Sequence, residues 1–159
     1  MMQVQLDQID LQILHILQEN GKTSNIHLSG MIGLSPAPTL ERVKKLEKAG
    51  IIKNYHAELS QENLGLNIQT FMQITLSRHK NNAINNFIEQ INAIENITEC
   101  YHITGSSDYL LKIIVKDMPA YERLIMDKLS KIEEIAQMQT QVILSTVKKS
   151  NILPLNYKK

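Results

Sequence analysis

The sequence predicts an α+β protein in two parts: a helix-turn-helix domain of winged-helix-like type over residues 6–67 and a ferredoxin-like βαββαβ domain over 68–150, with a C-terminal tail at 151–159. Three observations carry this reading. Apolar residues recur at helical spacing in three short runs before Gly50, with glycine closing the first two and the last. Beyond about Ile68 the period changes, and strand-like alternation is interrupted by two helical runs. At 159 residues, two small domains can each bury only a modest core, so self-association is expected.

The first helix is read from Ile13, Leu14 and Leu17, with Asp10 as its N-cap and Asn20-Gly21 as its end. Ser24 caps a second, whose buried face is Leu28, Met31 and Ile32, and Gly33 supplies a tight turn. Ser35 caps the third, with Leu40, Val43 and Leu46 inward and Gly50 past its end. Three short helices with a glycine turn before the last make a helix-turn-helix unit. The stretch IIKNYHAEL suits a short strand or wing, and SQENLGLN a polar connection.

In the second part TFMQITLS alternates as a strand. Asn82–Ile91 is a helix with Ile84, Phe87, Ile88 and Ile91 inward, and ITECYHIT and YLLKIIVK are hairpin strands joined by GSSD. Pro119–Lys131 is a second helix burying Tyr121, Leu124, Ile125 and Leu129, and Ala136–Val147 is the last strand. In YLLKIIV the alternating sets Leu111/Ile113/Val115 and Leu110/Ile114 are both apolar. One set faces the helices, and the other calls for a second copy of the sheet in a two-fold dimer.

Composition bounds the function classes. With 43% hydrophobic and 21% charged residues, and no apolar run near the length of a membrane span, a soluble protein without a membrane segment is expected. MMQVQLDQID has neither a basic nor an apolar leader region, and Cys100 is the single cysteine, which points to a reducing cytoplasm and to a small buried apolar side chain. His15, His27, His56, His79 and His102 are scattered, with no HExxH, no cysteine/histidine cluster, no GxSxG and no phosphate-cradling loop, so neither a catalytic nor a metal site is expected, and no cofactor.

Net charge is only +1, yet between Lys22 and His56 six basic residues face just Glu41 and Glu47. Within LSPAPTLERVKKLEKAG, prolines occupy the first and third helical positions, where backbone N–H groups lack helical partners anyway. The helix start is therefore stiff, exposed and at the positive end of the dipole. With Leu40, Val43 and Leu46 inward, Thr39, Arg42 and Lys45 fall on the outer face. Double-stranded DNA fits this surface: Arg42 offers a fork for guanine, Ser35 and Thr39 hydroxyls for phosphates or base edges, Lys45 a charge for phosphate, and Pro36, Ala37 and Pro38 apolar contact for thymine methyls.

LSPAPTLERVKKLEKAGII resembles the recognition-helix signature of the leucine-responsive regulatory protein/AsnC family, the feast/famine regulators, and the likeness extends through LDQIDLQILHILQENGKTSNIHLSGMIGLS, ECYHITGSSDYLLKIIVKDMPAYERL and VKKSN. The resemblance implies a transcriptional regulator, not an enzyme, that forms homodimers and often octamers and answers to a small amino acid, leucine or methionine, in the control of amino-acid metabolism. It implies the DNA-facing residues named above, with Gly105 and Asp108 in an effector loop. By its residues alone GSSD is a hairpin turn. With the resemblance, Gly105, Ser106 and Ser107 present N–H groups to a carboxylate, Asp108 receives an ammonium group, and Met118 and Val142 line the apolar part. Ser106 departs from the acidic residue that many relatives carry after the loop glycine, and Gln141 stands where some carry an aromatic. The same DNA-binding surface would also serve an architectural, chromosome-organising protein without an effector.

Overall fold

A computed structural model describes residues 5–77 and 82–156; His79 lies outside them. The chain separates into two compact units, one running to Glu58 and joined by the segment from Lys148, the other spanning Leu59–Val147. The expected division near Ile68 thus falls about nine residues earlier, and the tail belongs with the first unit.

In the helical unit α1 is Gln8–Glu19, α2 Asn25–Ile32 and α3 Pro36–Lys48. The N-cap of α1 is Asp7, not Asp10: Asp7 Oδ1 accepts from the Asp10 N–H at 2.8 Å, and Asp10 Oδ2 accepts from the Asp7 N–H at 3.3 Å. A reciprocal capping box therefore starts the helix three residues before the apolar pattern becomes visible. Ser24 caps α2 through the His27 N–H, and Gly33 ends it in the left-handed region at φ 70°, a conformation that costs a residue with a Cβ. Met31 is exposed, leaving Leu28 and Ile32 to meet Ile13, Ile16 and Leu46 in the core. Residues 51–59 form no strand, so the expected wing is not a paired element of this chain.

The tail is fastened to α1 by a two-way amide clamp, Gln18 Nε2 donating to the Leu153 carbonyl at 3.0 Å and the Leu153 N–H to Gln18 Oε1 at 2.9 Å. Lys149 pairs with Glu58 at 2.9 Å.

The second unit is β1 (Ile68–Leu76), α4 (Ala83–Asn92), β2 (Ile97–His102), β3 (Tyr109–Val115), α5 (Met118–Asp127), a 3-10 turn at Leu129–Lys131, and β4 (Ile135–Val142). The sheet is antiparallel in the order β2-β3-β1-β4, the ferredoxin-like arrangement. Thr70, Met72, Ile74 and Leu76 alternate inward from β1 and Tyr109, Leu111, Ile113 and Val115 from β3, against Phe87 and Ile91 of α4 and Tyr121 and Leu124 of α5. Ile84 and Ile88 are exposed, because Ala83, Phe87 and Ile91, four apart, take the inner stripe of α4. Ile125 is only half-buried. Cys100, expected inside, is exposed on β2.

By register the other face of the sheet carries Phe71, Leu110 and Ile114, but also Gln69, Gln73, Gln139, Gln141 and the Lys112–Glu99 ion pair at 2.6 Å. It is mixed in character, half-buried on β1 and β3 and exposed at Gln139 and Gln141, and more polar than YLLKIIV alone suggests.

Candidate functional site

The helix α3 starts as its prolines require. Ser35 has the extended backbone of an N-cap, yet its hydroxyl makes no capping hydrogen bond. Pro38 has removed the N–H of the third helical position, one of the two that a capping serine normally meets. Asn25 of α2 holds the start of α3 in place, its Nδ2 donating to the Pro36 carbonyl at 2.7 Å.

Beyond the first turn the helix is rotated from the expected phase. Thr39 is fully buried and donates its hydroxyl to the Ser35 carbonyl at 3.0 Å, whereas Leu40 is 41% exposed. The physical reason is helical pitch: residues 40, 43 and 46, three apart, fall progressively behind a turn of about 3.6 residues, while 39, 43 and 46 keep one face. Thr39 is thereby removed from the outer face.

Arg42 is corrected as well. Its Nη1 donates to Asp7 Oδ2 and to Asp10 Oδ1, both at 2.7 Å, and Asp10 is only 2% exposed. The guanidinium is engaged with α1 instead of standing free. These contacts raise the Arg42 pKa, through the Asp7 and then the Asp10 hydrogen bonds. Asp7 is lowered, first by the Asp10 N–H.

Ser35, Pro36, Ala37, Pro38, Glu41, Lys44, Lys45 and Lys48 are exposed. The last four line a shallow groove of about 410 Å³ together with Ala49. Lys44 and Lys48, not among the residues expected to face DNA, share this groove with Lys45; their spacing of four was the available signal.

In the sheet unit, Gly105 sits at φ 127°, a backbone few side chains tolerate, in the exposed turn between β2 and β3. Ser106 is exposed, and Ser107 donates to Gln73 Oε1 at 3.1 Å. Asp108 stitches β3 to β1: its N–H donates to the Ile74 carbonyl at 2.8 Å, and its Oδ2 accepts from the Leu76 N–H at 2.7 Å. One carboxylate oxygen is thus already used within the fold.

A cavity of about 560 Å³ opens beside Asp108, between Leu76 and Ser77, the start of α4 at Asn82–Asn85, and His102 and Tyr109. The His102 and Tyr109 rings stack at 5.0 Å, and burial pushes the Tyr109 phenol up. Of the expected effector residues only Asp108 lines this cavity. Met118 and Val142 lie at the opposite end of the sheet: Val142 pairs with Thr70, and Met118 follows Val115, which pairs with Ile68. Thr70 and Leu76 are six positions apart on β1, a span of about 20 Å. His102 and Tyr109 escaped sequence reading, although they are the register pair that closes the hairpin.

Two family domains cover the chain, a winged helix-turn-helix DNA-binding domain over residues 6–53 and the Lrp/AsnC ligand binding domain over 69–153. The chain belongs to the Lrp/AsnC family. A leucine-responsive regulatory protein of Haemophilus influenzae is 45% identical, over 94% of this chain and 90% of that one. The transcriptional regulator AzlB of Bacillus subtilis is 39% identical over 98% and 99%. Among solved structures, a Neisseria meningitidis transcriptional regulator in complex with L-Met superposes with a TM-score of 0.92 at 36% identity, covering 96% of this chain and 98% of that one. Escherichia coli AsnC superposes at 0.86 with 27% identity, covering 94% of this chain and 99% of that one. This Lrp/AsnC protein is accordingly a DNA-binding transcriptional regulator with a ligand-binding domain, and not an enzyme. Among the described residues no helix is long and apolar enough to cross a membrane, and no three histidine, cysteine or acidic side chains are grouped to hold a metal ion.

Proposed function

We propose that this regulator binds a pseudo-palindromic operator as a homodimer, assembles further to an octamer, and changes its DNA affinity when leucine or methionine binds, so as to control genes of amino-acid metabolism in the cytoplasm. On the DNA side, Ser35, Pro36, Ala37 and Pro38 meet the duplex at the start of α3, and Lys44, Lys45 and Lys48 neutralise phosphates. Two such helices related by a two-fold axis call for half-sites about 10 bp, or a multiple, apart.

One observation carries the effector reading. Gly105–Asp108 and the pair Met118 and Val142 stand at opposite ends of one sheet, about 20 Å apart, too far for one amino acid to touch both. A site that uses both is built from two copies, the loop from one and the apolar pair from another. Ligand binding then favours one assembly by its differential affinity for the assembled form. The L-Met complex of the Neisseria meningitidis regulator supports methionine, and the leucine-responsive relatives support leucine.

Calorimetry with leucine and methionine tests this, combined with mixing of two variants. Asp108→Asn removes the loop charge but keeps an oxygen for the Leu76 N–H, and Val142→Gln spoils the apolar end. Each alone should lose binding, and mixed oligomers should recover it at part of their sites. No recovery on mixing would put the site within one chain, and no binding by the unaltered protein would favour an architectural role.

A further inference from the structure

We propose that Arg42 is a positioning residue of the DNA-binding unit, clamping α3 to the start of α1 through Asp7 and Asp10, and that the buried Asp10 carboxylate is as important to DNA affinity as Arg42 itself. This rests on the DNA-binding reading above and adds residues that never touch the duplex.

The two carboxylates and the guanidinium form a closed network. Each carboxylate gives one oxygen to the capping box of α1, Asp7 Oδ1 to the Asp10 N–H and Asp10 Oδ2 to the Asp7 N–H. Each gives its other oxygen to the same nitrogen, Arg42 Nη1, at 2.7 Å. Asp10 is 2% exposed, so its charge has little water to answer it, and Asp7 lies three residues away on the same first turn. Without a cation between them the two carboxylates would repel each other in a site that solvates one of them poorly.

The network also fixes an angle. Arg42 stands on the inner stripe of α3 with Thr39, Val43 and Leu46, so tying it to α1 sets the rotation of α3 about its own axis. That rotation decides that Lys44, Lys45 and Lys48 are presented together. The hydrogen bond from Asn25 of α2 to the Pro36 carbonyl acts at the first turn of α3. Arg42 acts one and a half turns later, and two ties at different heights hold a helix where one would leave it free to roll.

The chemistry separates this role from base reading. A forked guanidinium on guanine uses two nitrogens and is poorly replaced by lysine. Here one nitrogen serves both carboxylates, so an ammonium group can stand in for it.

The experiment uses the full chain and a duplex enriched by the unaltered protein from a random library, with a random-sequence duplex beside it, over a range of salt. Arg42→Ala, Asp10→Ala, the double variant and Arg42→Lys are compared at a temperature where circular dichroism shows each to be folded. Arg42→Ala and Asp10→Ala should each lower affinity by about tenfold, the double variant by no more than the worse single one, and Arg42→Lys by about threefold or less. The slope of log affinity against log salt should be unchanged in all four, since no phosphate contact is lost. If Arg42→Ala lowers that slope by about one while Asp10→Ala leaves affinity intact, Arg42 lies on the DNA and the proposal is overturned. It is equally overturned if folded Arg42→Ala and Asp10→Ala bind like the unaltered protein, which would make the network one of stability alone. Failure of the unaltered protein to enrich any duplex would instead overturn the DNA-binding reading, and this proposal with it.

Discussion

The two units of this chain solve the same problem with different means. The sheet unit buries Phe87, Met72, Ile74, Leu111, Ile113, Leu129 and their neighbours in one continuous core, with only Thr70 and Glu134 as buried polar residues among those described. The helical unit has five fully apolar core residues, and three of its buried side chains, Asp10, Ser29 and Thr39, are polar. A core that small contributes little by burial. A capping box, an ion-pair network and a tail clamped onto α1 carry more of the weight there. Stability in the first unit is therefore sensitive to charge and pH, and in the second to volume.

Removing volume should show the largest effect. Phe87 is fully buried with its ring 4.8 Å from that of Tyr109, and Phe87→Ala should cost about 3–5 kcal/mol in the sheet unit. Denaturant unfolding followed by tyrosine absorbance checks it, and a loss under about 1 kcal/mol would mean that this core can collapse around the gap.

A smaller effect is expected at the cap of α1. Asp7→Ala removes the N-cap and one arm of the Arg42 network, at a cost of about 1–2 kcal/mol near neutral pH. The hydrogen bond from the Asp10 N–H is the main cause that holds the Asp7 carboxyl below its usual range. Its contribution is therefore present above the unfolded value of about 3.9 and lost as pH falls through the lower folded value. Urea midpoints of the native chain and Asp7→Ala should differ at pH 7 and converge in acid.

Tyr55 gives the smallest. Its ring lies against Gly21 and its hydroxyl donates to Glu47 Oε1 at 2.9 Å, so although the residue is 44% exposed the phenol is partly desolvated. That burial, followed by Glu47, pushes its pKa up to about 12. A raised folded value means that the contribution is complete below the unfolded value of about 10 and lost as pH rises through about 12. Tyr55→Phe should cost less than about 1 kcal/mol at neutral pH and be less sensitive to that alkaline range, as read by thermal melts.

The same contrast explains what could be read in advance. The sheet unit was legible in its succession of strands and helices, because alternation and glycine turns report local geometry directly. Its inaccuracies are matters of phase, as where Ile84 and Ile88 yield the inner stripe to Ala83, Phe87 and Ile91. In the helical unit the starts of α2 and α3 were legible, but the start of α1 and the polar stitching were not. Asp7 and Arg42 are 35 residues apart, and no periodicity announces that they meet. Thr39 falls outward if Leu40, Val43 and Leu46 form the inner stripe, yet it is buried and its hydroxyl is satisfied by a carbonyl one turn back. The GSSD turn was visible, whereas the cavity beside it depends on α4, β1 and the His102 and Tyr109 pair converging from distant positions.

Fluorescence anisotropy on the enriched duplex, with and without each of the twenty amino acids, tests the regulatory reading most directly. Leucine or methionine should shift the dissociation constant by about 5–150-fold in the unaltered protein and leave it unchanged in Asp108→Asn. Equal affinity with every amino acid present or absent would contradict it.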